Sequence, residues 1–476
     1  MVWFMVWLRR CVPPLLVLPL LAGGCASPQP PPAAPLPPLP ADGEPHAAYV
    51  LLGEGPSGEA VAFARAVVDG GEPCPALAGE GGTLAMVKRA NPHGFEVDVC
   101  EAAVPFERRF TLVDAAGAAL AAELPVARRG VERVVVVGDS GCKPDDQSGC
   151  GLDDPAWPFP RLAAAAAARR PGLVVHVGDY NYRGTPSSFE RTVDGQPVKT
   201  WYYDAGDGAD PSEHCEVPGP YYSQNSTGNP DADAWEAWWL DFFEPARPLL
   251  AAAPWVFSRG NHELCSHAGP GWLYFLDASS ALAEGGGAQL ACPPQDGEGP
   301  ALPHLRFVPP RVVALDGLAL AVLDSANACD DLPNFTGRYA EQLAAVAARL
   351  DGADGDAWLV GHRPPWGLDG TADGPPFGCD GEPGSGPAPA FAAINRTLQC
   401  ALAAPGAAAL PPRLGLSLAG HMHRFESLTF AAGSGRPPQL IVGNSGVAEE
   451  TGPPTGSFSQ AGRSSRRAAA AASCSA

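Results

Sequence analysis

The sequence predicts an α/β protein, in which a larger domain over residues 131–449 follows a small β-sandwich-like domain over residues 47–128. Two observations predict this organisation. Beyond residue 131, short and wholly apolar runs alternate with helical segments, which is typical of strands buried on both faces of a sheet. Before residue 129, short β-prone runs are separated by Gly and Pro, and no strong helical pattern occurs.

The apolar runs of the larger domain are each short enough to form a single strand. Two helical segments lie between them: the Ala-rich Arg161–Arg170 and the amphipathic Tyr339–Leu350. The runs are Val134–Val137, Leu173–Val177, Trp255–Phe257, Leu318–Leu323, Trp358–Val360, Leu414–Leu418 and Leu440–Val442.

Composition and charge exclude some classes of protein. The chain has 476 residues, of which 46% are hydrophobic, so it can bury a sizeable core and is not disordered throughout. The formal net charge is −21, and a surface this acidic repels a phosphate backbone. General nucleic-acid binding is therefore not expected. Phosphate chemistry remains open, because bound metal ions can reverse the local field.

The N-terminus predicts export. Arg9 and Arg10 precede the apolar segment Cys11–Leu21, which is too short to cross a bilayer. The following letters LAGGC end at Cys25 and resemble a bacterial lipobox, which would make residues 1–25 a lipoprotein signal peptide. We expect the protein to be anchored in the membrane of the bacterial cell envelope by a lipid on Cys25, facing the periplasm or the surface. The alternative is an ordinary cleaved signal peptide. The Pro-rich linker 26–46 predicts an extended spacer.

The cysteines also indicate an oxidising compartment. Without Cys11 and Cys25, eleven of the 13 cysteines remain, and none has the CxxC spacing of a structural zinc site. We therefore expect disulfides. Cys142 and Cys150 are close enough to close one loop, and a bond between Cys74 and Cys100 would lie within the first domain.

Two segments lack a regular pattern. Residues 180–234 form a long insertion rich in Gly, Asp and Tyr, and an insertion of this length in a compact domain is typically functional or partly disordered. Residues 450–476 are of low complexity, and we predict that they form a disordered tail.

Metal-capable side chains directly follow five of the apolar runs. The residues that do so are Gly138–Gly141 (GDSG), Gly178–Tyr182 (GDYNY), Arg259–Glu263 (RGNHE), Gly361–Arg363 (GHR) and Gly420–His423 (GHMH). Ligands of open α/β sheets bind at the carboxyl ends of the strands. Carboxylates and a phenolate suit a hard trivalent ion, whereas imidazole and an amide oxygen suit a borderline divalent ion. The pattern therefore predicts a dinuclear metal site.

In this order, the motifs GDxG, GDxxY, GNHE, GHR and GHxH resemble those of the calcineurin-like metallophosphoesterases. The Tyr of GDxxY makes the chain most similar to their purple acid phosphatase branch, and the resemblance covers residues 131–446. It implies a four-layer α-β-β-α sandwich. It also implies acid phosphatase-like hydrolysis of small-molecule phosphate monoesters by a metal-bound hydroxide, because the metal ions lower the pKa of water.

The resemblance also implies a role for each ligand. Fe(III) would be bound by one set of residues and a divalent ion (Fe, Zn or Mn) by another, with Asp179 bridging the two ions. The first set is Asp139, Tyr182 and His423, and the second set is Asn261, His362 and His421. Because only three of these ligands are anionic, the pocket would stay net positive and would attract phosphate esters.

Two further residues are candidates for the catalytic step. His262, next to Asn261, would contact the phosphate or protonate the leaving oxygen. Arg363 follows a ligand and would either neutralise a phosphate oxygen or form an ion pair at the surface.

Two other functions remain open on the same residues. One is phosphodiesterase or nucleotidase activity at the same site. The other is a surface lipoprotein that binds metal or phosphate without turnover. The presence of all seven predicted ligands favours an enzyme, since a site without turnover is expected to lose some of them.

Overall fold

The structure is a computed structural model that describes most of the chain beyond residue 43. The described residues are 8–9, 44–143, 150–182, 189–193, 196–200, 233–265, 267–278, 291–292, 306–330, 333, 335–351, 355–369, 378–380, 392–407, 410–449, 456–460 and 463–467. Nearly all of the predicted signal peptide and Pro-rich linker, and most of the predicted insertion, lie outside them. Within this part of the chain, no helix combines the length and apolar character needed to cross a bilayer.

Strands predominate in the described residues. Numbered along the chain, they are β1 (Leu8–Arg9), β2 (Ala47–Glu54), β3 (Ala60–Asp69), β4 (Ala76–Gly79), β5 (Gly82–Ala85), β6 (Val87–Lys88), β7 (Val97–Val104), β8 (Phe110–Val113), β9 (Ala119–Glu123), β10 (Arg133–Val137), β11 (Leu173–His176), β12 (Phe189–Val193), β13 (Gln196–Thr200), β14 (Trp255–Phe257), β15 (Arg311–Leu315), β16 (Leu318–Val322), β17 (Asp356–Val360), β18 (Gly367–Asp369), β19 (Ala392–Ile394), β20 (Leu414–Ala419), β21 (Phe425–Phe430), β22 (Gln439–Val442), β23 (Gly456–Gln460) and β24 (Arg463–Arg467).

The helices are fewer and are concentrated in the second half of the chain. They are α1 (Phe159–Ala168), α2 (Trp235–Trp238), α3 (Glu244–Ala252), α4 (Gly269–Gly271), α5 (Thr336–Leu350) and α6 (Arg396–Ala403). Helices α2 and α3 are joined by a π-helical turn over Trp239–Phe243, a second π-helical turn over Trp272–Leu276 follows α4, and Asn261–Glu263 form a short 3₁₀ turn. The two helices predicted from the sequence correspond to α1 and α5.

Two large sheets form the centre of the protein. In the first, the order is β1-β10-β11-β14-β2-β3-β7-β6, and β10, β11, β14 and β2 are parallel neighbours. In the second, the order is β15-β16-β17-β20-β22-β21-β24-β23, and β16, β17, β20 and β22 are parallel neighbours. Apart from β2, the parallel strands of both sheets are those that the apolar runs predict.

The alternation of side chains along β10 shows how the layers are arranged. Val135 and Val137 lie in one core cluster with residues of α1 and α3, whereas Val134 and Val136 lie in another with residues of the second sheet, such as Leu320. Successive side chains of a strand point to opposite faces, so the first sheet lies between a helical layer and the second sheet. The far face of the second sheet packs on α5 and α6. The order α-β-β-α confirms the predicted four-layer sandwich.

The N-terminal residues are rich in strand, as predicted, but half of these strands (β2, β3, β6 and β7) belong to the first large sheet and not to a sandwich of their own. Strand β2 pairs parallel to β14 with Leu51 opposite Trp255, and β3 and β7 continue the same sheet in antiparallel order. Only β5, β4, β8 and β9 form a separate four-stranded sheet. The predicted boundary near residue 130 therefore lies within a structure that shares one core, because β2 completes the edge that β14 leaves exposed.

The C-terminal segment also differs from its prediction. Within the predicted disordered tail, β23 and β24 form a hairpin, and β24 pairs with β21 at the edge of the second sheet. A sheet edge offers a row of backbone donors and acceptors, and a strand of almost any sequence can pair with it. In the predicted insertion, β12 and β13 likewise form a hairpin.

Four disulfides join described cysteines. Cys142 is bonded to Cys150 and Cys74 to Cys100, which confirms both pairs expected from the sequence. The other two bonds are Cys265–Cys292 and Cys379–Cys400. Cys142 directly follows the GDSG motif, and Cys265 lies just after the 3₁₀ turn, so two of the motifs are each followed by a segment that a disulfide closes.

Candidate metal centre

The five motifs lie at the carboxyl ends of five strands, where the two sheets meet. GDSG follows β10, GDYNY follows β11 and RGNHE follows β14, all in the first sheet. GHR follows β17 and GHMH follows β20 in the second sheet. Parallel strands end at the same edge of a sheet, so these loops converge, and the structure brings all seven predicted metal ligands into two adjoining groups.

Three of the predicted ligands have unusual backbone conformations. The φ angles of Asp139, Asp179 and His421 are +53°, +61° and +73°, in the left-handed region that residues other than Gly seldom adopt. Such strain concentrates at functional sites, where the surrounding structure holds it in place. The neighbouring Gly178 (φ +103°) cannot be replaced, since a Cβ atom there would collide with the imidazole of His362.

The first ligand group surrounds the hydroxyl of Tyr182. This oxygen lies 3.2 Å from Oδ1 of Asp139, 3.2 Å from Oδ2 of Asp179 and 3.2 Å from Nε2 of His423. A phenol has a single proton and can donate to only one of these atoms at a time. The ligand atoms of Asp139, Asp179 and His423 also lie within 4.8 Å of one another, which is close enough to hold one metal ion.

The second ligand group adjoins the first and shares Asp179 with it. Nε2 of His362 lies 2.8 Å from Oδ1 of Asn261 and 3.2 Å from Oδ2 of Asp179. His421 completes the group, because its ligand atom, with those of Asp179 and His362, lies within the same 4.8 Å limit. Asp179 is therefore the member common to both groups.

The second group fits a cation better than it fits a network of hydrogen bonds. Nδ1 of His362 lies 2.8 Å from the carbonyl oxygen of Val177, which can only accept, so Nδ1 carries the proton of the neutral ring. Nε2 then presents a lone pair to the oxygens of Asn261 and Asp179, which are themselves acceptors. Three acceptors that face one another with no proton between them are satisfied by a metal ion. The residues present therefore fit the implied dinuclear centre.

The electrostatics of the site also favour bound cations. Burial raises the pKa of Asp139 well above its usual value, and the adjacent carboxylate of Asp179 raises it further. Burial and the same two carboxylates raise the pKa of the Tyr182 hydroxyl as well. For Asp179, burial is outweighed by the imidazoles of His362 and His262 when these rings are protonated, and their charge holds its pKa well below the usual range. A cation bound to the neutral rings would supply the same positive charge. Positive charge at the centre would allow all three groups to ionise together.

Several buried side chains outside the predicted set of site residues hold these loops in place. The carboxylate of Glu263 accepts backbone N–H groups of the Asp179 loop, and the hydroxyl of Ser325 accepts those of His362 (2.9 Å) and Arg363 (2.8 Å). Glu263 lies in the GNHE motif, which is the one signal that could have pointed to it. Ser325 lies in a loop after β16 and carries no recognisable motif.

The two predicted catalytic residues occupy different positions. The ring of His262 lies 4.3 Å from the ring of Tyr182, and the backbone nitrogen of His262 donates to Oδ1 of Asp179 at 3.0 Å. The guanidinium of Arg363 is fully buried, and its Nη1 atom lies 2.6 Å from Oδ2 of Asp330. Its ion pair is thus an interior one, not the surface pair considered from the sequence. Contact of Arg363 with a phosphate oxygen stays a prediction.

Comparisons with known proteins agree with the motif pattern. Residues 132–425 match the family described as calcineurin-like phosphoesterase, and all seven predicted ligands lie in this segment. No curated protein matches the chain significantly.

Similar solved structures include three phosphatases or related proteins. A purple acid phosphatase from yellow lupin (Lupinus luteus) seeds is 13% identical, with a TM-score of 0.45 over 89% of this chain and 68% of that chain. PhoD is 12% identical, with a TM-score of 0.40 over 83% of this chain and 76% of that chain. A dimetal phosphatase from Danio rerio is 9% identical, with a TM-score of 0.32 over 66% of this chain and 87% of that chain.

Proposed function

The chain belongs to the calcineurin-like phosphoesterase family of metal-dependent enzymes, and from this premise we propose that it hydrolyses phosphate monoesters at a dinuclear metal centre. The observation that carries the proposal is the sharing of Asp179 by two adjoining ligand groups. A single ion needs only one such group. Two groups with a common carboxylate are the arrangement that holds two ions close together.

Each ligand group suits a different ion. Asp139, Tyr182 and His423 offer a carboxylate, a phenol and an imidazole, and in our proposal they hold Fe(III). Asn261, His362 and His421 offer an amide oxygen and two imidazoles, and they hold a divalent ion (Fe, Zn or Mn). When bound, the two ions supply Lewis acidity, which lowers the pKa of water and neutralises phosphate charge.

The protein's own residues then orient the substrate and move the proton. His262 is 8% exposed and lies beside Tyr182, at the edge of the ligand groups. We propose that His262 is the general acid, because a protonated imidazole at this position can donate its proton to the leaving oxygen. Its backbone N–H holds Oδ1 of Asp179, so its position is tied to that of the shared carboxylate. Its side chain would therefore lie beside a substrate bound at the shared carboxylate.

Two finer assignments belong to the same proposal. We assign the chain to the purple acid phosphatase-like branch, and the position of the Tyr182 hydroxyl among the ligand atoms of the first group supports this assignment. Export and a lipid anchor on Cys25 remain as proposed from the sequence. Mass spectrometry of the N-terminal peptide from membrane fractions tests the anchor: a diacylglyceryl-modified Cys25 supports it, and an unmodified N-terminus contradicts it.

The activity is tested on the purified full-length protein, loaded with Fe(III) and a divalent ion. Hydrolysis of p-nitrophenyl phosphate is compared with that of bis-p-nitrophenyl phosphate across pH 4–8, with a metal-depleted sample as control. Faster turnover of the monoester, lost on depletion, supports the proposal. Faster turnover of the diester identifies a phosphodiesterase. Binding of phosphate and two metal ions with no turnover of either ester identifies a non-catalytic binding protein.

A further inference from the structure

Asp330 lies in the loop after β16, outside every motif, and it is only 5% exposed. Its carboxylate accepts hydrogen bonds from Arg363 Nη1 at 2.6 Å, His421 Nε2 at 2.5 Å and Asn395 Nδ2 at 2.9 Å. We propose that Asp330 is a positioning residue that orients His421 as a metal ligand and thereby sets the affinity of the second ligand group. The inference rests on the proposed dinuclear function.

The contact with Asp330 decides which ring nitrogen of His421 faces the metal site. A carboxylate can only accept hydrogen bonds, so an Nε2 atom 2.5 Å from Oδ2 must carry a proton. The neutral ring then has its lone pair on Nδ1, which is free to bind a metal ion together with Asp179 and His362. Nη1 of Arg363 also lies 3.2 Å from Nε2 of His421, but both atoms carry protons and cannot hydrogen-bond to each other. Both instead donate to Oδ2 of Asp330.

Asp330 is itself held in place by the start of helix α6. Asn395, the residue before this helix, donates to Oδ1 of Asp330 and to the carbonyl oxygen of Ala328 at 3.0 Å, and its own side-chain oxygen accepts from Leu398 N at 2.9 Å. The carbonyl oxygen of Asp330 accepts from the backbone nitrogen of Arg396 at 2.6 Å. The carboxylate that orients His421 is therefore anchored by a packed helix.

The expected consequence concerns the metal affinity of one group. A carboxylate that accepts the second N–H of a ligating histidine fixes the ring and increases its basicity, and loss of such a partner lowers metal affinity by about 10–100-fold. The hydrogen bonds of the Asp330 side chain go to Arg363, His421 and Asn395. Removal of this carboxylate should thus weaken the binding of the divalent ion and leave the iron at Tyr182 bound.

The test compares full-length Asp330→Asn with wild type by metal titration instead of turnover. Zn²⁺ is titrated into protein whose iron is already bound, against a competing chelator, and the visible iron band is recorded in parallel. We expect Zn²⁺ affinity to fall about 10–100-fold with an unchanged band. Unchanged Zn²⁺ affinity in the variant overturns the inference. A wild-type protein that binds fewer than two ions contradicts the proposed function instead.

Asp324→Asn is the matched control. Asp324 lies in the same loop, and its carboxylate forms a buried ion pair with Arg259 at 2.8 Å, with the same 4% side-chain exposure as Asp330. It bonds to Arg259, Val308 N and Ala326 N rather than to an imidazole. We expect this variant to lose stability while it keeps its Zn²⁺ affinity. An equal loss of affinity in both variants overturns a specific role for Asp330.

A second substitution covers the case in which Asp330→Asn does not fold because Arg363 loses its counter-charge. Asp330→Glu keeps that charge but moves the carboxylate by one methylene group relative to His421. We expect it to fold and to bind Zn²⁺ at least about 10-fold more weakly than wild type. Wild-type affinity in the folded Glu variant overturns the inference as well.

Discussion

The side chain of Glu263 accepts a hydrogen bond from the backbone nitrogen of Asp179 at 3.0 Å, although the two residues lie 84 positions apart. The same carboxylate accepts from Tyr180 N at 2.8 Å and from Gly260 N at 2.9 Å, and it is fully buried. It therefore ties the loop after β11 to the loop after β14. This contact holds the strained backbone of Asp179, the residue shared by both ligand groups, in position.

Substitution of Glu263 should loosen both ligand groups together. In Glu263→Ala, the N–H groups of Asp179, Tyr180 and Gly260 lose a buried acceptor, and each buried unsatisfied group costs about 1–3 kcal/mol. We expect a lower melting temperature and partial loss of both metal ions, measured by thermal denaturation and elemental analysis. Glu263→Gln, which keeps an acceptor oxygen, should be intermediate. An Ala variant with full stability and two ions would contradict this role.

Asp179→Ala should remove both metal ions and all turnover. The reason is that its carboxylate belongs to both ligand groups, so neither group is complete without it. The comparison variant is His423→Ala, which disrupts the first group alone and should still bind one ion. Metal content by elemental analysis decides between the two roles. Retention of two ions by Asp179→Ala would contradict the proposal that Asp179 binds both metal ions.

Tyr182→Phe should abolish the visible colour of the iron-loaded protein. A phenolate bound to Fe(III) gives a charge-transfer band, and the Tyr182 hydroxyl lies 3.2 Å from three ligand atoms. Substantial activity should remain, since six other ligands are present. Tyr180→Phe is a matched control, because the Tyr180 hydroxyl donates to Ser258 O and takes no part in either group. An iron-loaded wild type with no visible band would contradict the purple acid phosphatase-like assignment.

Glu101→Gln should destabilise the whole fold. Its fully buried carboxylate pairs with Arg65 at 2.6 Å and with Arg89 at 2.9 Å. Removal of one member of a buried charge network leaves uncompensated charge and costs about 3–5 kcal/mol. Urea denaturation measures the change. Glu80→Gln, which removes an exposed pair with Arg108, should have no measurable effect, and equal stabilities of the two variants would argue against the prediction.

Asp233→Asn should alter how stability depends on pH. Burial raises the pKa of Asp233 from 3.8 to about 8, against the opposing hydrogen bonds from Trp238 Nε1 and Gly271 N. Between these values, the folded protein keeps a proton that the unfolded chain has lost, so the contribution of Asp233 to stability declines as pH rises and is lost near pH 8. The melting temperature of the variant minus that of wild type should therefore increase from pH 4 to pH 8. A constant difference over this range would contradict the raised pKa.

Much of the architecture could be predicted because its signals are local. A run such as Val134–Val137 is apolar on every residue, and only a strand buried on both faces needs that composition. The heptad-like spacing of Tyr339–Leu350 similarly marks a helix with one buried face, and the structure extends it to Thr336. The ligand set was also local: each Gly-containing motif follows its strand directly.

Other features depend on contacts between distant residues. The pairing of Leu51 with Trp255 places β2 in the first sheet, and it uses backbone hydrogen bonds that every strand sequence can make. The hairpin of β23 and β24 on β21 has the same origin. Residues 47–128 and 450–476 could therefore be assigned strand or loop character from sequence, but not a position in a sheet.

The fold class, the order of the buried strands and the kinds of ligand at their ends follow from local sequence, because apolar burial and metal-capable side chains are properties of single residues and short runs. The groups that support those ligands are defined only by contacts in the folded protein. Glu263 beneath Asp179 and Asp330 behind His421 are ordinary acidic residues in the sequence. They acquire their roles only when folding removes water around them, since a buried carboxylate must then find its hydrogen-bond donors within the protein.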